Sequence, residues 1–280
     1  MLLDCAGKPL DLSRPAIMGI LNVTPDSFSD GGDYFHSEQA MERALEMERD
    51  GAAIIDIGGE STRPGAESVP LDEELRRVIP VIENLAPKLS IPISIDTQKA
   101  EVMRAAVQAG AGLINDVNAL RSAGAVQAAA KAEVPVCLMH MHGNPENMQD
   151  DPDYQQVTND VIGFLRNRVE DCKHAGIDTS RLLLDPGFGF GKTLAHNLQL
   201  LSRLNELVAL GFPVLVGLSR KSMIGKMLDL DVKDRLPASI ALTVMAVSRG
   251  ASLIRTHDVA ATWQAVQMCT AVHSAVQQLD

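Results

Sequence analysis

Apolar residues along this chain alternate between two rhythms. Short, β-favouring runs occur at 17–22, 53–57, 93–96, 113–116, 134–140, 182–185, 214–218 and 252–255, and segments of helical periodicity fill 37–50, 71–88, 99–109, 123–132, 158–175, 195–209, 233–249 and 259–278. The runs are nearly continuous in apolar character, which fits strands covered by helices on both faces of a parallel sheet. Glycine follows helix after helix, at Gly51, Gly110, Gly176, Gly211 and Gly250, and marks the return to the next strand. Eight strand–helix units of about 35 residues predict an α/β fold, a (β/α)8 TIM barrel, for which roughly 250 residues is typical. An open doubly wound sheet is weaker, because the chain has no early Gly-x-Gly-x-x-Gly. Residues 1–14, with Gly7-Lys8-Pro9 between two short apolar pieces, predict a short N-terminal β-hairpin, and 1–280 reads as a single domain.

The first strand ends on Asn22 and spills into Val-Thr-Pro-Asp-Ser-Phe-Ser-Asp-Gly-Gly, turn and helix-stop chemistry. Ordinary βα connections are a few residues long, whereas this one is expected to run from 23 to about 37, and with Phe28 in it the length points to a lid.

Composition narrows the class. Of 280 residues, 46% are hydrophobic and 22% charged, ample for a core, and no apolar stretch approaches the ~20 residues of a membrane span. The first residues lack the pattern of a signal peptide, so a cytoplasmic location is expected. Cys5, Cys137, Cys172 and Cys269 lie far apart without metal-ligand spacing and read as free thiols. A net charge of -11 opposes partnership with nucleic acid or anionic membrane.

In a barrel the carboxyl ends of all strands meet at one mouth. Here those ends carry Asn22; Asp56 through Arg63; Asp96; Asn115 and Asp116; His140 and His142; Asp185; Ser219, Arg220 and Lys221; Arg255 and His257, while the opposite ends are small or apolar. Helix capping explains one or two of them, Asp116 or Asp258 being the natural choices. Arg63, Arg220, Lys221, Arg255 and His257 gather at loops two, seven and eight, which points to a polyanionic substrate. Asp96, Asn115 and Asp185 lie deeper, where a carboxylate needs donors, so a ligand presenting a row of N–H groups fits; guanine and pterins do.

Two near-motifs are set aside. Gly187-Phe-Gly-Phe-Gly-Lys-Thr193 would need glycine at 186 to be a phosphate loop, and proline stands there. His140-Met-His142 resembles a metal pair, but further histidine ligands are sparse, and hydrogen-bonded or supporting histidines are the better reading.

The strand-end segments closely resemble dihydropteroate synthases, over essentially the whole chain: Gly19-Ile-Leu-Asn-Val-Thr-Pro-Asp-Ser-Phe-Ser-Asp-Gly31, Asp56-Ile-Gly-Gly-Glu-Ser-Thr-Arg-Pro-Gly65, Ser94-Ile-Asp-Thr97, Ile114-Asn-Asp116, Leu138-Met-His-Met141, Leu184-Asp-Pro-Gly-Phe-Gly-Phe-Gly-Lys192, Gly217-Leu-Ser-Arg-Lys-Ser222 and Arg255-Thr-His-Asp258. The resemblance implies condensation of (7,8-dihydropterin-6-yl)methyl diphosphate with 4-aminobenzoate, with Mg2+ as cofactor and sulfonamides able to occupy the aminobenzoate pocket. It implies that Asp96, Asn115, Asp185 and Lys221 hold the pterin, flanked by Met139 and Phe190. Asn22 then binds Mg2+ and, with Arg63, Arg255 and His257, the diphosphate. Thr62, Pro64, Ser222 and Phe190 border the aminobenzoate, and Phe28 closes over it. Asp96, Asp185, Lys221, Arg255 and His257 are the residues expected to carry catalysis. The family implies a homodimer, for which helices 235–247 and 263–276 offer apolar faces.

The inventory agrees with that chemistry, since an aryl amine is nucleophilic while neutral and no Ser-His-Asp or Cys-His pair is offered. The demanding step is expulsion of diphosphate. On this reading Arg255→Ala weakens diphosphate binding and spares the free pterin. A pterin-binding methyltransferase has no need of the Arg63 and Arg255-Thr-His257 set, and a non-catalytic relative would have lost some of Asn22, Lys221, Arg255 or His257; all are present.

Overall fold

The computed structural model describes residues 1–23, 33–61, 68–143, 148–149 and 152–277. Strands β3 (Ala16–Asn22), β4 (Ile54–Gly58), β5 (Ile93–Asp96), β6 (Leu113–Asp116), β7 (Val136–Met139), β8 (Leu182–Asp185), β9 (Leu215–Gly217) and β10 (Leu253–Thr256) form one parallel sheet in the order β8-β7-β6-β5-β4-β3-β10-β9. Its two outer strands meet at a parallel bridge between Leu184 and Val214, with the Leu184 amide donating to Pro213 O at 3.0 Å, so the sheet closes into the expected barrel.

Ahead of the barrel, β1 (Leu2–Cys5) and β2 (Lys8–Asp11) make the expected hairpin. Its turn places Ala6 and Gly7 in the left-handed region, and the Gly7 amide donates to Asp4 Oδ1 at 2.7 Å. Leu3, Cys5 and Leu10 pack on Met18, Ile54, Leu113, Leu183, Leu215 and Leu253, residues from the lower parts of six strands, so the hairpin plugs the bottom of the barrel. Its backbone presses so close that a Cβ on Gly112 would lie 2.3 Å from the Cys5 carbonyl oxygen. Lys8 Nζ staples the plug to the outer layer by donating to Ala86 O and Leu89 O at 2.8 and 2.7 Å.

The main core lies between strands and the helical ring of α1 (Asp33–Arg49), α2 (Leu71–Leu85), α3 (Ala100–Ala109), α4 (Ala125–Ala132), α5 (Val157–His174), α6 (Leu194–Ser202), α7 (Leu204–Val208), α8 (Ser222–Leu228), α9 (Leu236–Val247) and α10 (Val259–Gln277). Four features depart from the sequence pattern. Helix α1 begins at Asp33, ahead of the start expected at 37. The single helix expected at 195–209 breaks at Arg203, whose guanidinium turns to Glu206. A short helix, α8, follows Lys221 at the mouth, and 233–249 divides into a 3₁₀ turn and α9, which starts at Leu236 with Pro237 in its first turn. The four cysteines are buried free thiols. Among the described residues, no helix is long and apolar enough to cross a membrane.

Candidate active site

Parallel register turns distant strand ends into neighbours. Asn22 pairs with Gly58, Gly58 with Asp96, and Asp96 with Asn115, so one layer across β3, β4, β5 and β6 carries an amide, a gap, a carboxylate and a second amide. The gap matters: a Cβ on Gly58 would sit 3.8 Å from both Asn22 Oδ1 and Asp96 Oδ2, so the glycine leaves the space between these two side chains open.

One turn below, Asp56 is fully buried on β4 and its Oδ2 accepts from Asn115 Nδ2 at 3.1 Å and from Arg255 Nε at 2.6 Å. Arg255 also donates from Nη2 to Asp96 Oδ2 at 2.7 Å. Asp56 Oδ1 and Asp96 Oδ1 are buried and find no hydrogen-bond partner among the described residues. Burial raises the Asp96 carboxyl above its usual range; Arg255 opposes that shift and Asp56 adds to it. Each of these two carboxylates thus keeps one oxygen without a donor among the described residues, and of the two Asp96 is the one that reaches the mouth.

Across the mouth, Asp185 on β8 accepts the Gly187 amide at 2.7 Å through Oδ1, and burial raises its pKa to about 6 against the pull of that amide and of Lys221. Lys221 Nζ stands 4.3 Å from the centroid of the Phe190 ring. Burial lowers its pKa to about 8, with Asp185 pulling the other way. Met139 is the register partner of Asp185 and packs with Val117, Met141, Met148 and Phe190 into a small apolar patch. A flat heterocycle would find acceptors at its edge, a cation, and apolar walls.

His257 follows β10. Its Nδ1 is 3.0 Å from Ser219 Oγ, which also accepts the His257 amide at 3.2 Å, and its carbonyl accepts from Arg43 Nη2 at 3.1 Å. Ser222 is exposed at the first position of α8. Phe28, Thr62, Arg63 and Pro64, like residues 24–32 of the lid loop expected from 23 to about 37, lie outside the described residues.

Geometry also removes candidates from the basic cluster. Arg220, with a left-handed backbone, pairs with Asp258 through Nε at 2.9 Å and through Nη2, so its charge is spent beside the mouth. Asp116 accepts the Asn118 and Leu120 amides at 2.7 Å and organises the turn after β6; the capping reading expected it to cap the following helix, which it does not, because α4 begins only at Ala125 with Gly124 at its N-cap. The two histidines of His140-Met-His142 part company: His140 is buried with Nδ1 against Lys192 Nζ at 2.9 Å, while His142 is exposed beside Tyr154. No group of three or more potential metal-ligating side chains occurs among the described residues. Asp56 is the residue for which strand-end reading found no task; its signal was an aspartate inside an otherwise apolar strand.

Known proteins are similar to this chain in sequence and fold. The family model of pterin binding enzymes matches residues 18–257. A dihydropteroate synthase of Escherichia coli strain K12 is 50% identical over 275 residues, 98% of each chain. The structure of the Xanthomonas albilineans dihydropteroate synthase with 4-aminobenzoic acid superposes with a TM-score of 0.92 at 54% identity, covering 97% of this chain and 98% of that one. The same enzyme in complex with 7,8-dihydropteroate superposes with a TM-score of 0.89 at 51% identity, covering 98% and 99%.

Proposed function

The chain belongs to the pterin-binding enzyme family, and we infer that it condenses (7,8-dihydropterin-6-yl)methyl diphosphate with 4-aminobenzoate to give 7,8-dihydropteroate and diphosphate, the dihydropteroate synthase reaction of folate biosynthesis. The observation that carries the reading is the ring of buried acceptors, Asp96 and Asp185, set opposite Lys221 and Phe190 at one barrel mouth.

In this account Asp96, Asn115 and Asp185 accept from the N–H row of the pterin, Lys221 donates to its acceptor edge, and Met139 and Phe190 sandwich the ring. Arg255 and His257, with Arg63, face the diphosphate. The aminobenzoate lies between Phe190, Ser222, Thr62 and Pro64, under Phe28. The C–O bond between methylene and diphosphate breaks, the arylamine nitrogen forms the new C–N bond, and the amine gives up its proton to solvent. Asp96 and Asp185 favour positive charge growing on the pterin methylene, and the cations favour negative charge on the leaving group.

The residues fit a magnesium ion. Asn22 would offer one hard amide oxygen at the end of β3, and Mg2+ commonly binds through a few protein oxygens together with waters and substrate phosphates. When bound, it neutralises charge on the departing diphosphate.

The same reading includes a cytoplasmic location and a homodimer joined through α9 and α10, where Met245, Trp263, Met268 and Val272 are exposed. A sedimentation mass of one chain would exclude the dimer. The function itself is tested by diphosphate release, expected only with both substrates and Mg2+ present; release independent of 4-aminobenzoate at full rate would overturn it.

A further inference from the structure

Lys192 is buried, yet it touches neither face of the acceptor ring. As an ammonium it has three protons, and three near acceptors surround Nζ, His140 Nδ1 at 2.9 Å, Gly187 O at 2.9 Å and Phe190 O at 3.0 Å, with His140 O further off at 3.5 Å. Burial lowers the Lys192 pKa to about 7, Asp185 pulling the other way, and in the ammonium form the lysine donates to Nδ1 of His140, which places the ring proton on Nε2. Burial lowers the His140 pKa to about 2, with Lys192 adding to the shift, and keeps the imidazole a neutral acceptor.

All of these bonds converge on the loop from Gly187 to Gly191. The Phe190 amide donates to Gly187 O at 3.1 Å, Asn197 Oδ1 accepts the Gly189 amide at 2.8 Å, Gln149 Nε2 donates to Gly189 O at 2.7 Å, and the Tyr154 hydroxyl donates to Gly191 O at 2.7 Å. At one end the loop is tied to Asp185 through the Gly187 amide. In the middle it carries Phe190, whose ring faces Lys221, and Gly189, where a Cβ would lie 3.3 Å from the Lys221 stem. The ammonium thus sits at the centre of a platform whose rim bears Asp185, Phe190 and the support for Lys221.

We propose that Lys192 is a positioning residue for the condensation: its ammonium fixes the 187–191 loop at the height at which the Phe190 ring meets Lys221 and borders both substrates. It acts through Phe190 rather than on the reacting atoms, since each of its protons is taken by the loop or by His140. The proposal rests on the dihydropteroate synthase reading for the identity of those substrates.

The test is a double-mutant cycle on kcat/KM in the full-length chain, with Lys192→Met, Phe190→Leu and the double variant. Methionine keeps the length of the stem and removes the donors. Lys192→Met is expected to raise KM for both substrates by about tenfold, more than it lowers kcat, and to add almost nothing once Phe190 is leucine. Effects that multiply independently in the double variant would overturn the proposal, because a merely structural lysine lowers activity whatever stands at 190. If Lys192→Met does not fold, Tyr154→Phe enters the same cycle: an effect of about threefold that vanishes in the Phe190→Leu background supports the platform, and one that persists there overturns it. Absence of condensation by the unmodified chain would instead be a failure of the functional reading.

Discussion

Arg255 donates from Nε to Asp56 Oδ2 at 2.6 Å, joining the end of β10 to a fully buried carboxylate on β4 across the intervening strand β3. With its second bond to Asp96, the guanidinium neutralises two acids at the floor of the site before any substrate arrives. Nη1 belongs to neither bond.

That relationship changes what Arg255→Ala should do. Taken from the sequence, the substitution weakens the diphosphate and spares the pterin. In the structure it leaves two buried carboxylates facing one another, a loss of about 3 kcal/mol in stability, and it disturbs Asp96, so pterin affinity falls as well. Thermal unfolding and pterin titration check this together; an unchanged melting temperature with intact pterin binding would show that the guanidinium does not hold the pair.

The pH dependence follows from Asp185 and Lys221. Burial raises Asp185 to about 6, so its accepting, ionised form is lost as pH falls through that value. Burial lowers Lys221 to about 8, so its donating cation is lost as pH rises through that value. The profile of kcat/KM for the pterin substrate is therefore expected to be bell-shaped, with a basic limb near 8 and an acidic limb to which Asp185 and Asp96, also raised by burial, both contribute, and Asp185→Asn should leave only the Asp96 part of the acidic limb. An acidic limb that is unchanged in Asp185→Asn belongs to another group.

The loop of β8 should be intolerant of any side chain at its first glycine. Gly187 has φ +67°, and a Cβ there would lie 1.9 Å from the His140 carbonyl oxygen. Gly176 has φ +86° with nothing within 4 Å. Gly176→Ala is expected to cost about 1 kcal/mol, the left-handed backbone alone, and to leave binding untouched. Gly187→Ala meets backbone as well as strain and should lose more stability together with pterin affinity. Equal losses in urea unfolding would mean that the loop moves aside freely.

Much of the architecture is legible in the chain because its signals are local. Each strand is an apolar run bounded by glycine or a polar end, and the observed strands fall within a residue or two of those runs. The interior of the site is less legible. Nothing near Arg203 announces a break; in the structure its guanidinium pairs with Glu206 of the short helix that follows. Lys192 and His140 each belong to a local pattern, a false phosphate loop and a false metal pair, and only the closeness of β7 and β8 reveals that they satisfy one another. Counting cations at loop ends likewise overstated the free charge, because Arg220 is matched by Asp258, 38 positions further along.

The claim at the centre of this account is that buried carboxylates at the mouth recognise the pterin ring, and Asp185→Asn tests it most directly by calorimetric titration with the free pterin. Asparagine keeps the shape and replaces an ionised acceptor by a neutral amide, so affinity should fall roughly tenfold to a hundredfold while the fold is retained. Unchanged affinity in a folded Asp185→Asn protein would contradict the account.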